Sequence, residues 1–255
     1  MKAWVAATVV DTQPLDAEIT TWRHVTLLSD PEARRLGKEW ITKRLFQRHG
    51  FSGWNDSSTG LRELDVRFLD SGCVYTYRGT EIVPSSLEET KAIFRKDCLG
   101  SILAIPTGSS RGTLRETDGN TMLHVATSRG LEVVNILSGE FNQADRCTFV
   151  FAQIQCDDNL GTMARQRSLV LWFDLLQRRD GTTAKRVVSL QSHCFGPGHD
   201  DAFDLEAEAQ SRGFSIASYP ASQQEIFFRQ ILVLHFHRHF DQAVLEWSER
   251  AKTHH

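Results

Sequence analysis

Three histidines toward the C-terminal end of the chain are of a type that can bind a metal ion or exchange protons. His235, His237 and His239 lie within residues 234–240, and imidazole is a common zinc ligand. On a helix, His235 and His239 share a face, whereas His237 points elsewhere, so the remaining ligands would have to come from another segment. We therefore expect these histidines at the surface or at the edge of the core, without a metal ion.

A second group of potential ligands follows the last predicted strand. It consists of His193, Cys194, His199, Asp200, Asp201 and Asp204. Side chains of these types suit a divalent cation, but their spacing matches no closed site. The acidic residues instead favour a loop that leads into a helix N-terminus, where the helix dipole stabilises carboxylates. We predict neither a metal ion nor a cofactor.

Other polar residues could take part in acid–base catalysis or phosphate binding. Glu116, Asp157 and Asp174 have no partner at a spacing typical of paired catalytic carboxylates, and we expect them to be charges in solvated loops. The segment 108–112 contains two glycines and Arg111, but it lacks the lysine of a P-loop, which favours a connecting loop.

Charge balance and cysteine content restrict the class of protein. The 255 residues include 29 Lys plus Arg against 32 Asp plus Glu, a formal net charge of −3. This balance lacks the basic excess typical of proteins that bind nucleic acid. Five cysteines without a CxxC pair indicate reduced thiols. No stretch approaches the ~18 apolar residues of a membrane-spanning helix, and we expect a cytoplasmic protein whose first ten residues form a short strand.

The clearest helix signals near the start of the chain predict a helix over residues 31–48. The segment Ser29-Asp-Pro-Glu32 offers a capping side chain, and Pro31 suits the first turn of the helix. The apolar side chains are predicted to face the core and the charged ones to face solvent. The apolar set is Leu36, Trp40, Ile41, Leu45 and Phe46, and the charged set is Glu32, Arg34, Arg35, Lys38, Lys43 and Arg44.

Further along, β-type composition predicts an antiparallel sheet. Strands are predicted at residues 61–68, 73–83, 111–116, 121–127, 131–137 and 147–155, with a short helix after residue 84. The clearest hairpin joins residues 168–177 and 184–192 through Asp180-Gly181. With these two as the turn residues, Phe173 faces Val188 and Leu171 faces Leu190, so the four side chains share one face. We predict that this is the core or cavity side.

The last long segment, residues 223–252, has the periodicity of an amphipathic helix. Its apolar residues recur at three- and four-residue spacing and include Phe228, Leu232 and His235 in one line. A stripe of this width must be buried against the sheet.

This order of elements resembles the helix-grip architecture of StAR-related lipid-transfer (START) domains over residues 55–250. The resemblance is carried by residues 73–84 before Ser-Leu-Glu-Glu-Thr, by residues 145–150, and by Asp180-Gly-Thr182 before residues 187–189. It implies an α+β fold in which a curved antiparallel sheet grips the long C-terminal helix around an apolar tunnel. The corresponding division is an N-terminal extension with one helix at residues 1–54 and a START-like domain at residues 55–252.

The resemblance also implies binding of a lipid or another hydrophobic small molecule, without catalysis. Transient membrane contact is expected, and nucleic acid is not. The predicted lining of the tunnel is Leu171, Phe173, Val188, Leu190, Phe228, Leu232 and His235. Two alternatives stay open: a cyclase- or hydrolase-like enzyme that uses His193, His235 or His239 as acid–base, and an interaction protein whose packed interior holds no ligand.

Overall fold

The computed structural model describes residues 26–48, 60–69, 72–103, 114–127, 133–160, 165–196 and 203–235. Its helices are α1 (Pro31–Gln47), α2 (Leu87–Leu103), α3 (Leu205–Ser211) and α4 at residues 224–235. Its strands are β1 (Thr26–Leu27), β2 (Arg62–Leu69), β3 (Gly72–Val83), β4 (Leu114–Asp118), β5 (Thr121–Thr127), β6 (Val133–Asn142), β7 (Arg146–Gln153), β8 (Cys156–Asp157), β9 (Leu169–Gln177) and β10 (Thr183–Ser192). The predicted α+β class is confirmed. The predicted strand at residues 1–10 and the predicted continuation of the last helix over residues 236–252 lie outside the described residues.

Eight of the strands form one antiparallel sheet in the order β2-β3-β10-β9-β7-β6-β5-β4. Hairpins between sequence neighbours build β2–β3, β4–β5–β6–β7 and β9–β10, and the last of these reverses at the predicted Asp180-Gly181 turn. The long-range pairs β3–β10 and β7–β9 join these units, so β10 lies between β3 and β9. The short strands β1 and β8 pair with each other in parallel, apart from the main sheet.

The β9–β10 hairpin forms where the sequence predicts it, but its register differs by one residue. Phe173 pairs with Val187 and Leu171 pairs with Ser189, whereas the sequence analysis paired them with Val188 and Leu190. Because successive side chains of a strand point to opposite faces, a shift of one residue exchanges the two faces of β10 relative to β9. The predicted pairing is therefore wrong.

The loop of this hairpin explains the shift. The Arg178 N–H donates to the Thr182 carbonyl at 2.9 Å, and the Gly181 N–H donates to the Arg178 carbonyl at 3.1 Å, which leaves three residues in the loop. Gly181 has a φ of 83°, the left-handed conformation of the bulge residue that closes a three-residue hairpin loop. The Asp-Gly pair thus marks a turn correctly, but it does not fix the number of loop residues.

Helix α1 packs on one side of the sheet, which we call face A. Ile41 and Leu45 are 1% and 0% exposed and join a cluster of sheet residues. The Trp172 Nε1–H of β9 donates to the Leu45 carbonyl at 2.9 Å. The sheet residues of this cluster include Val74, Leu123, Leu137, Val150, Ala152, Val170, Trp172, Val188 and Leu190.

The orientation of α1 corrects the predicted division of its side chains. Arg34 and Lys38 are 5% and 2% exposed, although the sequence analysis placed them in solvent. Leu36 and Trp40 were expected in the core and are 50% and 54% exposed. The buried cations pair with carboxylates that β4 and β8 supply, among them Glu116, and these pairs fix the rotation of the helix.

The opposite side of the sheet, face B, is covered by helices in two places. At one place Phe94 of α2 packs against Phe149 and Phe173, with ring centroids 4.5 and 4.8 Å apart. At the other, Phe228 of α4 packs against Tyr75 of β3 and Phe68 of β2, with ring centroids 6.4 and 5.9 Å apart. The two helices therefore cover separate regions of face B.

The predicted division of the chain at residues 54 and 55 lies outside the described residues and stays a prediction. Leu27 and helix α1, which belong to the proposed extension, are part of the face A core. Among the described residues, no helix combines the length and the apolar character that crossing a membrane requires.

Candidate functional site

The strand residues that were expected to line a tunnel lie on both faces of the sheet. Leu171 is in the same cluster as Phe94 of α2, and Phe173 packs against this cluster, which is on face B. Val188 and Leu190 belong to the face A core and are both 0% exposed. The four residues therefore do not share one space, because the register of β10 is shifted by one residue.

The predicted helix residues lie over the β2–β3 edge of the sheet. Phe228 and Leu232 are 0% and 7% exposed and form a cluster with Val66 and Tyr75. The ring of His235 lies 5.5 Å from the ring of Phe214, centroid to centroid. Phe228 and Leu232 pack in a cluster separate from that of Leu171, and His235 contacts Phe214 at its edge.

One row of side chains crosses face B through all eight strands, and we call it the middle row. Its members stand opposite one another in the strand register. In the order of the sheet they are Leu64, Tyr77, Ser189, Leu171, Phe151, Ser138, Met122 and Thr117. Leu171 and Phe151 are 3% and 0% exposed, whereas Ser189, Ser138 and Met122 are half-buried. The row combines an apolar floor with hydroxyl groups.

The middle row carries no charged side chain. Burial raises the pKa of Tyr77, so its phenol is neutral and able to donate a hydrogen bond near neutral pH. The Ser138 hydroxyl donates to the Met122 carbonyl at 3.1 Å. Such a surface can contact an apolar molecule and satisfy an uncharged polar group on it, whereas an ion there would lose its hydration without a counter-ion. Sequence analysis missed this row because only the correct register brings its members together.

A buried ionic network lies next to this face, under α3. Glu208 is 3% exposed, and its carboxylate accepts hydrogen bonds from Arg167 at 2.5 Å and from the Tyr75 hydroxyl at 2.6 Å. Burial by itself would raise the pKa of Glu208, but the charges of Arg167 and Arg212 outweigh it and lower this pKa to about 2. The Cys194 N–H also donates to this carboxylate, at 3.0 Å. The spacing of residues in the sequence does not predict this network, because its members are far apart in the chain.

The structure describes only part of the two histidine groups. The Cys73 N–H donates to Nδ1 of His193 at 3.3 Å, and the His193 ring lies 5.1 Å from that of Phe203. His199, Asp200, Asp201, His237 and His239 lie outside the described residues. Within the ranges that the structure describes, no three His, Cys, Asp or Glu side chains are grouped so that they could hold a metal ion.

The carboxylates that were assigned to solvated loops are instead bound in ion pairs. Arg34 contacts Asp157 at 2.8 Å and Glu116 at 2.9 Å. Asp174 is 0% exposed and pairs with Arg146 and Arg186 across the sheet. The segment 108–112, which was predicted to be a connecting loop, lies outside the described residues, so this stays a prediction. Its sequence has the spacing Gly-x-Ser-x-Gly.

Asp157 shows how these contacts act on ionisation. Burial opposes the charge of this carboxyl, but hydrogen bonds from Arg34, the Asn159 N–H and Asn135 lower the pKa of Asp157 below its usual value. Fully hydrogen-bonded ion pairs of this type hold secondary-structure elements together. They do not provide a carboxyl poised for proton transfer.

Comparison with known proteins gives similarity at the level of structure. The amino-acid sequence matches no family model and no curated protein. The structure is similar to the lipid transfer and protein localization domain of human StarD13 (DLC2), with a TM-score of 0.37 and 10% identity, over 69% of this chain and 88% of that chain. It is similar to a STAR-related lipid transfer protein from Xanthomonas axonopodis, with a TM-score of 0.34 and 12% identity, over 52% of this chain and 80% of that one.

A third similar structure is the di-domain ARO/CYC StfQ from the steffimycin biosynthetic pathway. Its TM-score is 0.35 at 12% identity, over 70% of this chain and 52% of that chain. At these scores and identities the similarity concerns the arrangement of helices and strands and carries nothing about ligand or reaction. The chain thus has an α+β fold, an eight-stranded antiparallel sheet with a C-terminal helix, and is similar in structure to START-type helix-grip proteins.

Proposed function

We propose that this chain binds a hydrophobic small molecule, a lipid or a compound of similar character, on face B between α2 and α4. The observation that supports this proposal is the middle row, which combines apolar side chains with neutral hydroxyl groups. Ser189 and Ser138 are half-buried on the same face that both helices cover in part. The resemblance of the sequence to START domains implies the same class of ligand.

The chemistry of the row defines what it would accept. Leu171 and Phe151 offer apolar surface, and each Å² of apolar area removed from water contributes about 25 cal/mol to binding before the costs of association. Ser189 and the Tyr77 phenol would orient a hydroxyl or carbonyl of the ligand, because pockets of this kind contain a few polar groups among apolar ones. A charged part of the ligand would remain outside the row, in water.

The proposal is binding without turnover in a reducing compartment such as the cytoplasm. None of the eight side chains of the middle row is a carboxylate, a histidine or a lysine, the groups most often used for general acid–base catalysis. The cysteines that the structure describes with their side chains, Cys73, Cys147, Cys156 and Cys194, are free thiols, which fits such a compartment.

A pair of matched substitutions tests the proposal. Ser189→Trp adds a large side chain to the middle row, whereas Thr76→Trp adds the same side chain to face A of the neighbouring strand. Both original residues are small, hydroxylated and half-buried. Overpacking costs each variant a similar amount, about 1–3 kcal/mol, so melting temperatures show whether both proteins stay folded.

Uptake of fluorescent fatty acids, sterols and phospholipids is then measured, together with mass spectrometry of lipids extracted from the purified protein. Ser189→Trp is expected to abolish uptake, and Thr76→Trp is expected to retain it. The proposal is wrong if wild-type protein takes up none of these compounds, or if both variants bind them as the wild type does. In that case the chain is better described as an interaction protein with a packed interior.

A further inference from the structure

Helix α1 presents apolar and basic side chains on the side that faces away from the sheet. Leu36 and Trp40 are one helical turn apart and are 50% and 54% exposed. Lys43 and Arg48 follow them and are exposed as well. The opposite side of α1 is fixed to face A through Ile41 and the buried Arg34 and Lys38, so the exposed side is held in one orientation. We call it the α1 patch.

The C-terminal half of the α1 patch forms an open recess of about 330 Å³. Its lining consists of Trp40, Lys43, Arg44, Gln47 and Arg48. Three of these residues are cationic and none is acidic. The Arg44 guanidinium lies 5.1 Å from the centroid of the Trp40 ring, a cation–π distance. The recess therefore joins positive charge to an aromatic surface.

The two acidic residues of α1 pair with a basic residue outside the recess. Glu32 and Glu39 both bind Arg35, at 2.6 Å each, on the preceding turns of the helix. Basic residues at a helix C-terminus are favourable with respect to the helix dipole, which accounts for Arg44. The dipole does not account for an exposed tryptophan and an exposed leucine in the same line, because their exposure leaves apolar area in water.

We propose that the α1 patch docks this protein on the surface of an anionic phospholipid bilayer. Tryptophan is favoured at the boundary between headgroups and acyl chains, where its ring is partly dehydrated and its N–H meets polar groups. Leu36 extends the apolar contact by one turn. Lys43, Arg44 and Arg48 contact lipid phosphates, and the recess has room for a headgroup.

The same observations favour a bilayer over nucleic acid and over a soluble phosphate compound. The chain has a net charge of −3, and the patch offers three cations where a nucleic-acid surface commonly carries a longer basic stripe. A nucleic acid or a free phosphate would also leave Leu36 without a partner. Because the patch is on the face A side, docking is independent of ligand uptake on face B, and either can fail while the other holds.

Charge reversal within the patch tests the proposal in the full chain. The variant Lys43→Glu/Arg48→Glu is compared with Arg78→Glu/Arg179→Glu, which makes the same change in net charge at exposed sites on β3 and in the β9–β10 loop. Trp40→Ala tests the apolar part separately. Circular dichroism and melting temperature establish that each variant is folded, and hydrophobic-ligand uptake serves as a second readout.

Cosedimentation is measured with vesicles of phosphatidylcholine alone and of phosphatidylcholine with phosphatidylserine. We expect binding only to the anionic vesicles, weakened by salt. A basic residue near an anionic surface contributes about a fivefold factor, so Lys43→Glu/Arg48→Glu lowers the partition coefficient at least about 25-fold. The Arg78→Glu/Arg179→Glu variant keeps its binding, and Trp40→Ala weakens binding at every salt concentration.

Four results would overturn the proposal. They are equal binding to both kinds of vesicle, no binding to either kind, equal loss in the two double variants, and displacement from vesicles by inorganic phosphate. Tighter binding to single-stranded RNA than to anionic vesicles, lost in Lys43→Glu/Arg48→Glu, would assign the patch to nucleic acid instead.

Discussion

The buried carboxylate of Glu208 gives the sharpest prediction about stability. Its ion pair with Arg167 and its hydrogen bond with Tyr75 exist only in the folded chain. The attraction of Arg167 and Arg212 lowers the pKa of Glu208 from 4.5 to about 2 in spite of burial. Such a difference between the unfolded and folded values corresponds to roughly 3 kcal/mol of stability.

The sign of the pH dependence follows from the lowered pKa. The stabilisation is fully present above the unfolded value near 4.5 and is lost as the pH falls toward the folded value near 2. About 2 kcal/mol of it is lost by pH 3, because the unfolded chain binds a proton there and the folded chain does not. The free energy of unfolding of the wild-type protein should therefore fall steeply between about pH 4.5 and pH 2, the range that we call the acid limb.

Glu208→Gln removes the titrating group and leaves the Arg167 charge without its carboxylate. We expect a loss of about 3–5 kcal/mol at pH 7, the usual cost of breaking a buried pair, and a flatter acid limb. Glu225→Gln makes the same chemical change at an exposed position on α4 and should leave both quantities unchanged. Urea unfolding as a function of pH measures them. Parallel acid limbs in the wild type and Glu208→Gln would refute the reasoning.

Three further predictions concern packing, thiols and metal ions. A Cβ atom at Gly139 would lie 2.6 Å from the Thr42 Cβ. Gly139→Ala is therefore expected to separate α1 from face A and to lower the free energy of unfolding in urea by about 1–3 kcal/mol. An unchanged unfolding midpoint would contradict this packing. Burial raises the pKa of Cys73 to about 12, whereas Cys156 is exposed. At pH 8, iodoacetamide should label Cys156 and leave Cys73 unmodified in peptide maps. Rapid labelling of Cys73 would show that its cluster opens. Chelation with EDTA should leave the melting temperature unchanged, and a drop that zinc reverses would reveal a structural metal.

Local sequence signals were sufficient for most elements of the fold. The capping side chain and the proline of Ser29-Asp-Pro-Glu32 correctly predicted the first turn of α1, and the structure shows that Asp30 is the cap, which accepts from the Ala33 N–H at 2.8 Å. β-type composition predicted most strands of the sheet, and Asp180-Gly181 predicted the β9–β10 hairpin. These features depend on residues close together in the chain, and their physical causes act locally.

Local signals were not sufficient for the orientation of α1. Leu36 and Trp40 have the spacing of core residues, yet the structure exposes them and buries Arg34 and Lys38. The carboxylates that pair with these cations are on β4 and β8, far away in the sequence. Only the assembled sheet brings them to the helix, so helical periodicity alone could not decide which side faces inward.

The candidate site shows the same division between local and long-range causes. The residues alone predicted a hairpin at Asp180-Gly181 and an amphipathic last helix. They also showed a charge balance that does not favour binding of nucleic acid. Only the tertiary structure decided the three-residue loop, and with it the face on which Leu171, Ser189 and Val188 lie. The reason is that a turn signal specifies where the chain reverses. The register depends on a single residue in the loop and on the pairing of β10 with β3 and of β9 with β7.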